Sequence, residues 1–336
     1  MDVFLTGGTG YVGGAVARGF LEAGHRVRLL YRSPQNLPPE HARLLPVRGD
    51  LLRPQSLRDA IAGSDAICHT AAVVRSLVAD ARVMYAINVD ATRALLELAS
   101  ELGVPRVIYT SSFMALGPSG DTPVNEETPT DRDRFHNLYE RTKYLADRAA
   151  REAQAGGAPV TILYPTVVFG PGALTPGNLV GRIILRFLQR KLAARVGSGS
   201  SVWSYVFLRD VVEAHRRALS PAAGGRRYII TGQDLSMDGF LALLAELSGI
   251  PAPERRLPRW VAVPVALLME VVGRVTGRDP ELTREVLEIY EKNWAYDGSA
   301  ARRDLGLTPT PFRQALAETI DWARAHISQG PIDAGR

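Results

Sequence analysis

The sequence predicts an α/β protein: a doubly wound parallel sheet followed by a smaller, mostly helical C-terminal domain. Three observations carry that reading. Short β-rich runs alternate with helix-patterned stretches through the first half of the chain. Three glycines, Gly7, Gly10 and Gly13, follow the first such run and open the first helical stretch. From about Asp238 the pattern is mostly helical, with proline-rich joints at Pro251, Pro253 and Pro258. Strands that alternate with helices pair in parallel, and the helices cover both faces of the sheet.

Each element follows from its pattern. Val3–Leu5 reads as a strand and Ala15–Leu21 as a helix that ends at Gly24. Arg26–Tyr31 and Leu45–Val47 read as strands, and Ser56–Ala62 as a helix closed by Gly63. Ala66–His69 is a strand. Val83–Leu102 is one long helix, stopped by Gly103 and Pro105. Val107–Thr110 is a strand, His136–Gln154 a helix and Val160–Tyr164 a strand. Later come strand Val206–Leu208, helix Val211–Leu219 and strand Tyr228–Ile230. The expected division is residues 1–165 with about 202–232 in the first domain, and about 166–201 with 233–330 in the second.

Composition narrows the function classes. With 336 residues, 46% of them hydrophobic, the chain suits one large domain or two joined ones. Its single cysteine, Cys68, allows no internal disulfide, and the strand pattern starts at residue 2 without a signal-like stretch. A cytoplasmic protein is expected. The apolar stretch Trp260–Val275 is interrupted by Pro264 and Glu270 and is short for a membrane span. It reads as a core or cap helix, with an interfacial membrane or dimer helix as the alternative. Arg182, Arg186 and Arg190 repeat every four residues between apolar positions, an amphipathic helix with a solvated basic face. Net charge is only +5 and no nucleic-acid-binding module is present, so no nucleic-acid partner is expected. The histidines are scattered without metal-ligand spacing, so no metal is expected.

The glycine ladder sits in TGGTGYVG and fits both Gly7-x-x-Gly10-x-x-Gly13 and Gly8-x-Gly10-x-x-Gly13. A tight turn after a strand lets the backbone approach a pyrophosphate, and the helix that follows offers free N–H groups to the anion. Strand before and helix after make this the phosphate turn of a Rossmann-type domain. Thr6, Gly7, Gly10, Tyr11, Val12 and Gly13 are the candidate cofactor contacts here. An NAD site usually carries an acid at the end of the second strand. This strand ends Tyr31-Arg32-Ser33 instead. Arginine can grip a 2′-phosphate, so Arg32 and Ser33 point to NADP(H), with NAD(H) as the alternative.

Chemistry enters with YERTK. Tyr139 and Lys143 are four apart in a helical pattern and share one face. A phenol near pKa 10 is a poor acid at neutral pH, and an adjacent ammonium is expected to lower that value. The strand VIYT runs into Ser111-Ser112, and a hydroxyl at the carboxyl end of a parallel strand can hold a substrate oxygen.

Together these segments resemble the extended short-chain dehydrogenase/reductase family, in the NAD-dependent epimerase/dehydratase superfamily. The resemblance runs through TGGTGYVG, GDLLRPQSL, CHTAA, NVDAT, YTSSFMALG, YERTK and YPTVVFGPG, nearly the whole chain. It implies catalysis by Ser112, Tyr139 and Lys143, with Lys143 also binding the nicotinamide ribose. It places Asp50 and Leu51 beside the adenine, and Ala71, Ala72 and Val73 near the pyrophosphate and ribose. It makes Asn88 a structural residue near the site, and puts Pro165, Val167 and Val168 under the nicotinamide. A homodimer and a small-molecule substrate are further expectations of the family.

Two departures bear on the substrate. The sugar-nucleotide branch usually has a diphosphate-holding arginine where this chain has Trp203, and an arginine before the strand-end proline where this chain has Tyr164. Aromatic residues in place of arginine favour an apolar substrate. Phe113, Trp203 and Tyr205, with Ser112, are therefore the candidate substrate residues. The overall look is closest to dihydroflavonol-reductase-like and 3β-hydroxysteroid-dehydrogenase-like bacterial proteins. The expected activity is NADP(H)-dependent reduction of an apolar or ring-containing carbonyl. The alternatives are a nucleotide-sugar epimerase or dehydratase with trapped NAD, and a non-catalytic NADP(H) sensor. The polar stretch Gly117–Phe135 reads as a long loop before the catalytic helix, of a length that often forms a lid.

Overall fold

The computed structural model describes residues 1–328 except 35–36, 76–79, 193, 278–279 and 281. The expected end of the second domain, at about residue 330, lies outside the described residues. Seven parallel strands form the main sheet: β1 (Asp2–Thr6), β2 (Arg26–Tyr31), β3 (Leu44–Arg48), β4 (Ala66–His69), β5 (Val107–Thr110), β6 (Val160–Pro165) and one later strand, Arg227–Ile230. A second sheet of three strands holds β7 (Val167–Phe169), β8 (Val202–Phe207) and β10 (Gln233–Ser236), so Arg227–Ile230 is β9. The main order is β9-β6-β5-β4-β1-β2-β3. Register pairs Leu5 with Leu29 on one side of β1 and with Cys68 on the other. The order therefore reverses at β1, and the crevice outside the carboxyl ends of β1 and β4 is the switch point where ligands bind in such sheets.

Alternate residues of these strands feed two cores. Phe4, Ile67, Tyr109 and Ile162 face one side, with Leu95 and Leu98 of α2 (Ala91–Glu101) and Ala146 and Ala150 of α3 (Leu138–Ala155). Val3, Leu5, Cys68 and Ile108 face the other. That side is covered by Val16 and Phe20 of α1 (Tyr11–Glu22) and by Val211 and Ala214 of Leu208–Ala218. Strand period 2 against helix period 3.6 produces this sandwich.

Four expectations are corrected. The single helix expected over Val83–Leu102 is broken into Ala81–Tyr85, a π-helical turn Ala86–Asp90, and α2. The wide turn accommodates Asn88, whose side chain bonds two other segments. The expected strand Val206–Leu208 is instead β8, and Leu208 begins the next helix. β8 pairs with β7 and β10, so it belongs to the small sheet and not to the main one. The sequence reading gave no strand at Val167–Phe169, which leaves the main sheet at Thr166 to pair with Tyr205–Phe207.

The fourth correction concerns the apolar stretch near residue 260. Its helix, Arg259–Thr276, buries only Ala262, Ala266, Glu270 and Gly273. Its bulky residues are exposed, from Trp260 at 79% to Val275 at 83%. It is not a core helix: small side chains let it sit close to Leu287, and the large ones face outward. Among the described residues no helix is long and apolar enough to cross a membrane.

Candidate active site

The turn after β1 is built for close approach. Gly7 has φ +77, a conformation that favours glycine. A Cβ on Gly7 would lie 2.6 Å from the Ala71 nitrogen, and one on Gly13 only 2.3 Å from the Gly7 carbonyl oxygen. Gly10 caps α1 in extended conformation without a side-chain cap. The first N–H groups of α1 thus face the crevice beside β4, a cradle that fits a dinucleotide pyrophosphate. Tyr11 is buried, and its hydroxyl donates to the Gly170 carbonyl at 2.9 Å. Its side chain therefore ties the turn to the segment after β7. Thr6 is buried, and its hydroxyl bonds His69 Nδ1 at 2.7 Å. Burial holds His69 neutral, down at about 3, and its other nitrogen bonds Thr92. It is a core residue.

Arg32 and Ser33 lie exposed just past the carboxyl end of β2. Asp50 follows β3, its carboxylate accepting from the Leu52 N–H at 3.0 Å, and Leu51 is half-buried beside it. Ala71–Val73 follow β4. Asn88 holds them: its Oδ1 accepts from the Val73 N–H at 2.7 Å, and its amide donates to Thr142 Oγ1 at 3.1 Å. Asn88 so joins the loop after β4 to α3. Pro165 ends β6, and half-buried Val167 and Val168 begin β7. All these positions lie at the carboxyl edge of the main sheet.

Ser112, Tyr139 and Lys143 converge at the same edge. Ser112 follows β5 and caps the short helix Phe113–Leu116, accepting from the Met114 N–H at 3.2 Å. Its hydroxyl acts on the Tyr139 phenol, opposing in part the rise that burial causes. Tyr139 and Lys143 lie on the first turns of α3, which Asn137 caps. Lys143 is buried and donates to the Thr110 carbonyl at 2.9 Å. Desolvation brings its ammonium down to about 8, against the pull of Asp147. Burial pushes the Tyr139 phenol up to about 12, and Ser112 only partly offsets it. The expected lowering of the phenol by Lys143 is therefore corrected: desolvation wins, and the ammonium is turned to Thr110. Ser111 serves beneath the site, donating to Asp147 Oδ1 at 3.0 Å.

An aromatic wall adjoins the triad. Phe113 meets Trp294 edge-on at 5.5 Å and Tyr296 at 5.7 Å. Trp203 is 7% exposed and stacks on Tyr290 at 5.3 Å. Tyr205 is placed elsewhere than expected. It is 2% exposed and stacks on Phe240 at 5.3 Å within the core of the small sheet, with no face left for a substrate. Arg182 is half-buried rather than fully solvated, and its charge acts on the buried Tyr290 hydroxyl.

Sequence reasoning missed Trp294 and Tyr296. Trp294 is fully buried, and the Tyr296 hydroxyl donates to the Gly117 carbonyl at 2.6 Å. These residues clamp the loop that carries Ser112. The polar segment expected as a lid is docked on the same strip: the Ser119 N–H donates to the Asn293 carbonyl at 2.8 Å and the Val124 N–H to the Ala295 carbonyl at 3.0 Å. Arg132 in that segment pairs with the fully buried Glu140 at 2.5 Å, and His136 joins the same carboxylate at 3.0 Å. Only the apolar, bulky character of NWAY could have signalled its part in this wall. Among the described residues no cluster could hold a metal ion.

Comparison with known proteins agrees with this architecture. Residues 3–231 match the NAD dependent epimerase/dehydratase family. A Synechocystis protein named as a dihydroflavonol 4-reductase is 33% identical over 96% of this chain and 94% of its own. A Methylococcus capsulatus protein named sterol demethylase protein B is 32% identical over 96% of this chain and 98% of its own. The crystal structure of gox2253 superposes with a TM-score of 0.80, at 33% identity, covering 97% of this chain and 98% of that one.

Proposed function

The chain belongs to the NAD dependent epimerase/dehydratase family and is an NAD(P)-dependent enzyme, and from that premise we propose that it reduces an apolar, ring-containing ketone or aldehyde with NADPH. The observation that carries this reading is the convergence of Ser112, Tyr139 and Lys143 at the carboxyl edge of the sheet beside the half-buried rings of Phe113 and Tyr290, which the buried Trp294 and Trp203 back. Such a wall suits a flat apolar ring better than a diphosphate. Relatives named for a dihydroflavonol and a sterol support it.

In this reading the cofactor, when bound, supplies hydride to the carbonyl carbon. The α1 turn with Gly7, Gly10 and Gly13 holds the pyrophosphate, Asp50 and Leu51 flank the adenine, and Arg32 with Ser33 grips the 2′-phosphate. Ala71, Ala72 and Val73 line the ribose side, and Pro165, Val167 and Val168 support the ring. Ser112 holds the substrate oxygen as negative charge develops there. Tyr139, kept protonated by burial, gives that oxygen its proton. Lys143, one turn along α3 and held by the Thr110 carbonyl, positions the ribose and supplies a buried positive charge in the site.

A second reading, a sugar-nucleotide epimerase or dehydratase that recycles trapped NAD, is favoured by Arg182, whose charge reaches Tyr290 at the wall. Denaturing the purified protein and identifying released nucleotide separates the two. An empty site that exchanges NADPH and then turns over apolar ring ketones supports the reductase. Stoichiometric NAD that does not exchange overturns it. A cytoplasmic homodimer is part of the same reading.

A further inference from the structure

The helix Arg259–Thr276 carries an apolar stripe that the fold does not use. Trp260, Leu267, Leu268, Val271, Val272 and Val275 are exposed at 79, 41, 65, 54, 51 and 83%. At 100° per residue they fall on one face, opposite Ala262, Ala266, Glu270 and Gly273, which face the protein. An apolar stripe on the outer face inverts the usual arrangement of a surface helix.

Charge points to what covers it. The helix's one acid, Glu270, is turned inward and held by Arg284 at 3.0 Å. Its outer face therefore bears no acid, while Arg255 before the helix and Arg274 in its last turn are exposed. The stripe is about 22 Å long, and its six side chains expose an accessible area comparable to the roughly 800 Å² that one partner of a stable dimer buries, so a second copy is the competing occupant that the test below separates. A bilayer needs only an apolar strip with a tryptophan at its edge and cations around it. We propose that this helix docks the protein flat on an anionic phospholipid surface, with the stripe sunk among the acyl chains and Arg255 and Arg274 at the headgroups. The helix leads into Arg284–Tyr290, whose Tyr290 stacks on Trp203 at the aromatic wall. Docking would bring that wall close to the lipid. It does not require the proposed reaction.

The test is flotation of the full chain, loaded with NADPH, with phosphatidylcholine–phosphatidylglycerol vesicles and with phosphatidylcholine vesicles alone. Wild type should float with the anionic vesicles. The double variant Leu268→Glu, Val272→Glu should lose about tenfold or more of its partitioning. Leu179→Glu, on another exposed apolar position, should float like wild type. Circular dichroism and light scattering are run on each variant. Equal flotation of the double variant and wild type would overturn the proposal, as would wild type that stays unbound. So would a wild-type dimer that the double variant disperses without any vesicle binding, which would assign the face to a second copy.

Discussion

Lys143 directs its ammonium at the Thr110 carbonyl oxygen, 2.9 Å away, and not at the Tyr139 phenol one turn before it on the same helix. The bond fixes the side chain under β5 while burial brings its pKa down to about 8. An ammonium is the form the proposed mechanism needs. Its fraction falls as pH rises through about 8, so kcat/KM for carbonyl reduction should fall over the same window. Lys143→Arg, which keeps its charge there, should remove that limb. A flat profile from pH 7 to 10 in wild type would dismiss Lys143 as the titrating group. Stability should run the other way. Between about 8 and the ordinary lysine value near 10.4, the unfolded chain binds the proton that the folded chain has released. Lys143 therefore contributes a rise in unfolding free energy with pH across that window.

Tyr139→Phe tests the proposed proton donor directly. The ring stays packed against the same core, but the hydroxyl that Ser112 acts on is lost, and the acidic proton with it. Turnover should drop by about 10²–10⁴-fold, with NADPH affinity within a small factor of wild type. Fluorescence titration with NADPH and single-turnover kinetics separate the two. A variant that keeps most of its rate assigns the proton to another group.

The strands at Arg26–Tyr31, Ala66–His69 and Val107–Thr110 fall where the sequence puts them. Each starts shortly after a glycine or proline (Gly24, Gly63 and Pro105) and is rich in apolar residues, so local chemistry marks where it begins. What the sequence does not disclose is set by distant partners. The π turn at Ala86–Asp90 depends on Asn88 meeting Val73 and Thr142. β7 exists because Tyr205–Phe207 lies beside it. The outward face of Arg259–Thr276 was illegible because every side of that helix carries apolar residues, and only packing decides that the small ones go inward. In the site, Gly7, Gly13, Ser112, Tyr139 and Lys143 were legible from short motifs. The Trp294–Tyr296 clamp was not, because nothing local links it to Gly117, 179 residues away for the Tyr296 bond.

Arg32 tests cofactor choice. It is exposed past β2, with no acid beside it in the chain. A guanidinium on a 2′-phosphate is a charge-assisted contact. Arg32→Ser should therefore weaken NADPH binding by about tenfold or more and leave NADH nearly unchanged. Isothermal titration with both nucleotides reads this. Equal losses for both would mean that Arg32 contacts something other than the 2′-phosphate.

Gly13→Ala should damage the turn itself. The new methyl group would lie 2.3 Å from both the Gly7 carbonyl oxygen and Thr70 Oγ1. One obstacle is backbone in a left-handed turn, and the other is a hydroxyl already donating to the Thr6 carbonyl at 2.7 Å. Neither can move freely, so overpacking of about 1–3 kcal/mol is expected in urea unfolding. Cofactor affinity should fall with it. Gly63→Ala is the contrasting variant. It has open space around the Cβ, and only its φ of +73 opposes the substitution. It should leave cofactor affinity intact.

Glu140→Gln tests the support behind Tyr139. The carboxylate is fully buried and accepts from the Arg132 guanidinium at 2.5 Å and from the His136 N–H at 2.6 Å. Arg132 in turn donates to the Met114 and Ala115 carbonyls at 3.1 and 3.2 Å. One ion pair thus locks the loop after Ser112 to the first turn of the helix that carries Tyr139. Removing the negative charge leaves a mostly buried arginine uncompensated, which costs about 3–5 kcal/mol. Restoring neutrality with Arg132→Met in the same chain should recover part of that stability, because the desolvated cation is then gone. It should not recover kcat, since the loop still lacks its tie. Recovery of both together would mean that Glu140 stabilises the fold without positioning Ser112 and Tyr139.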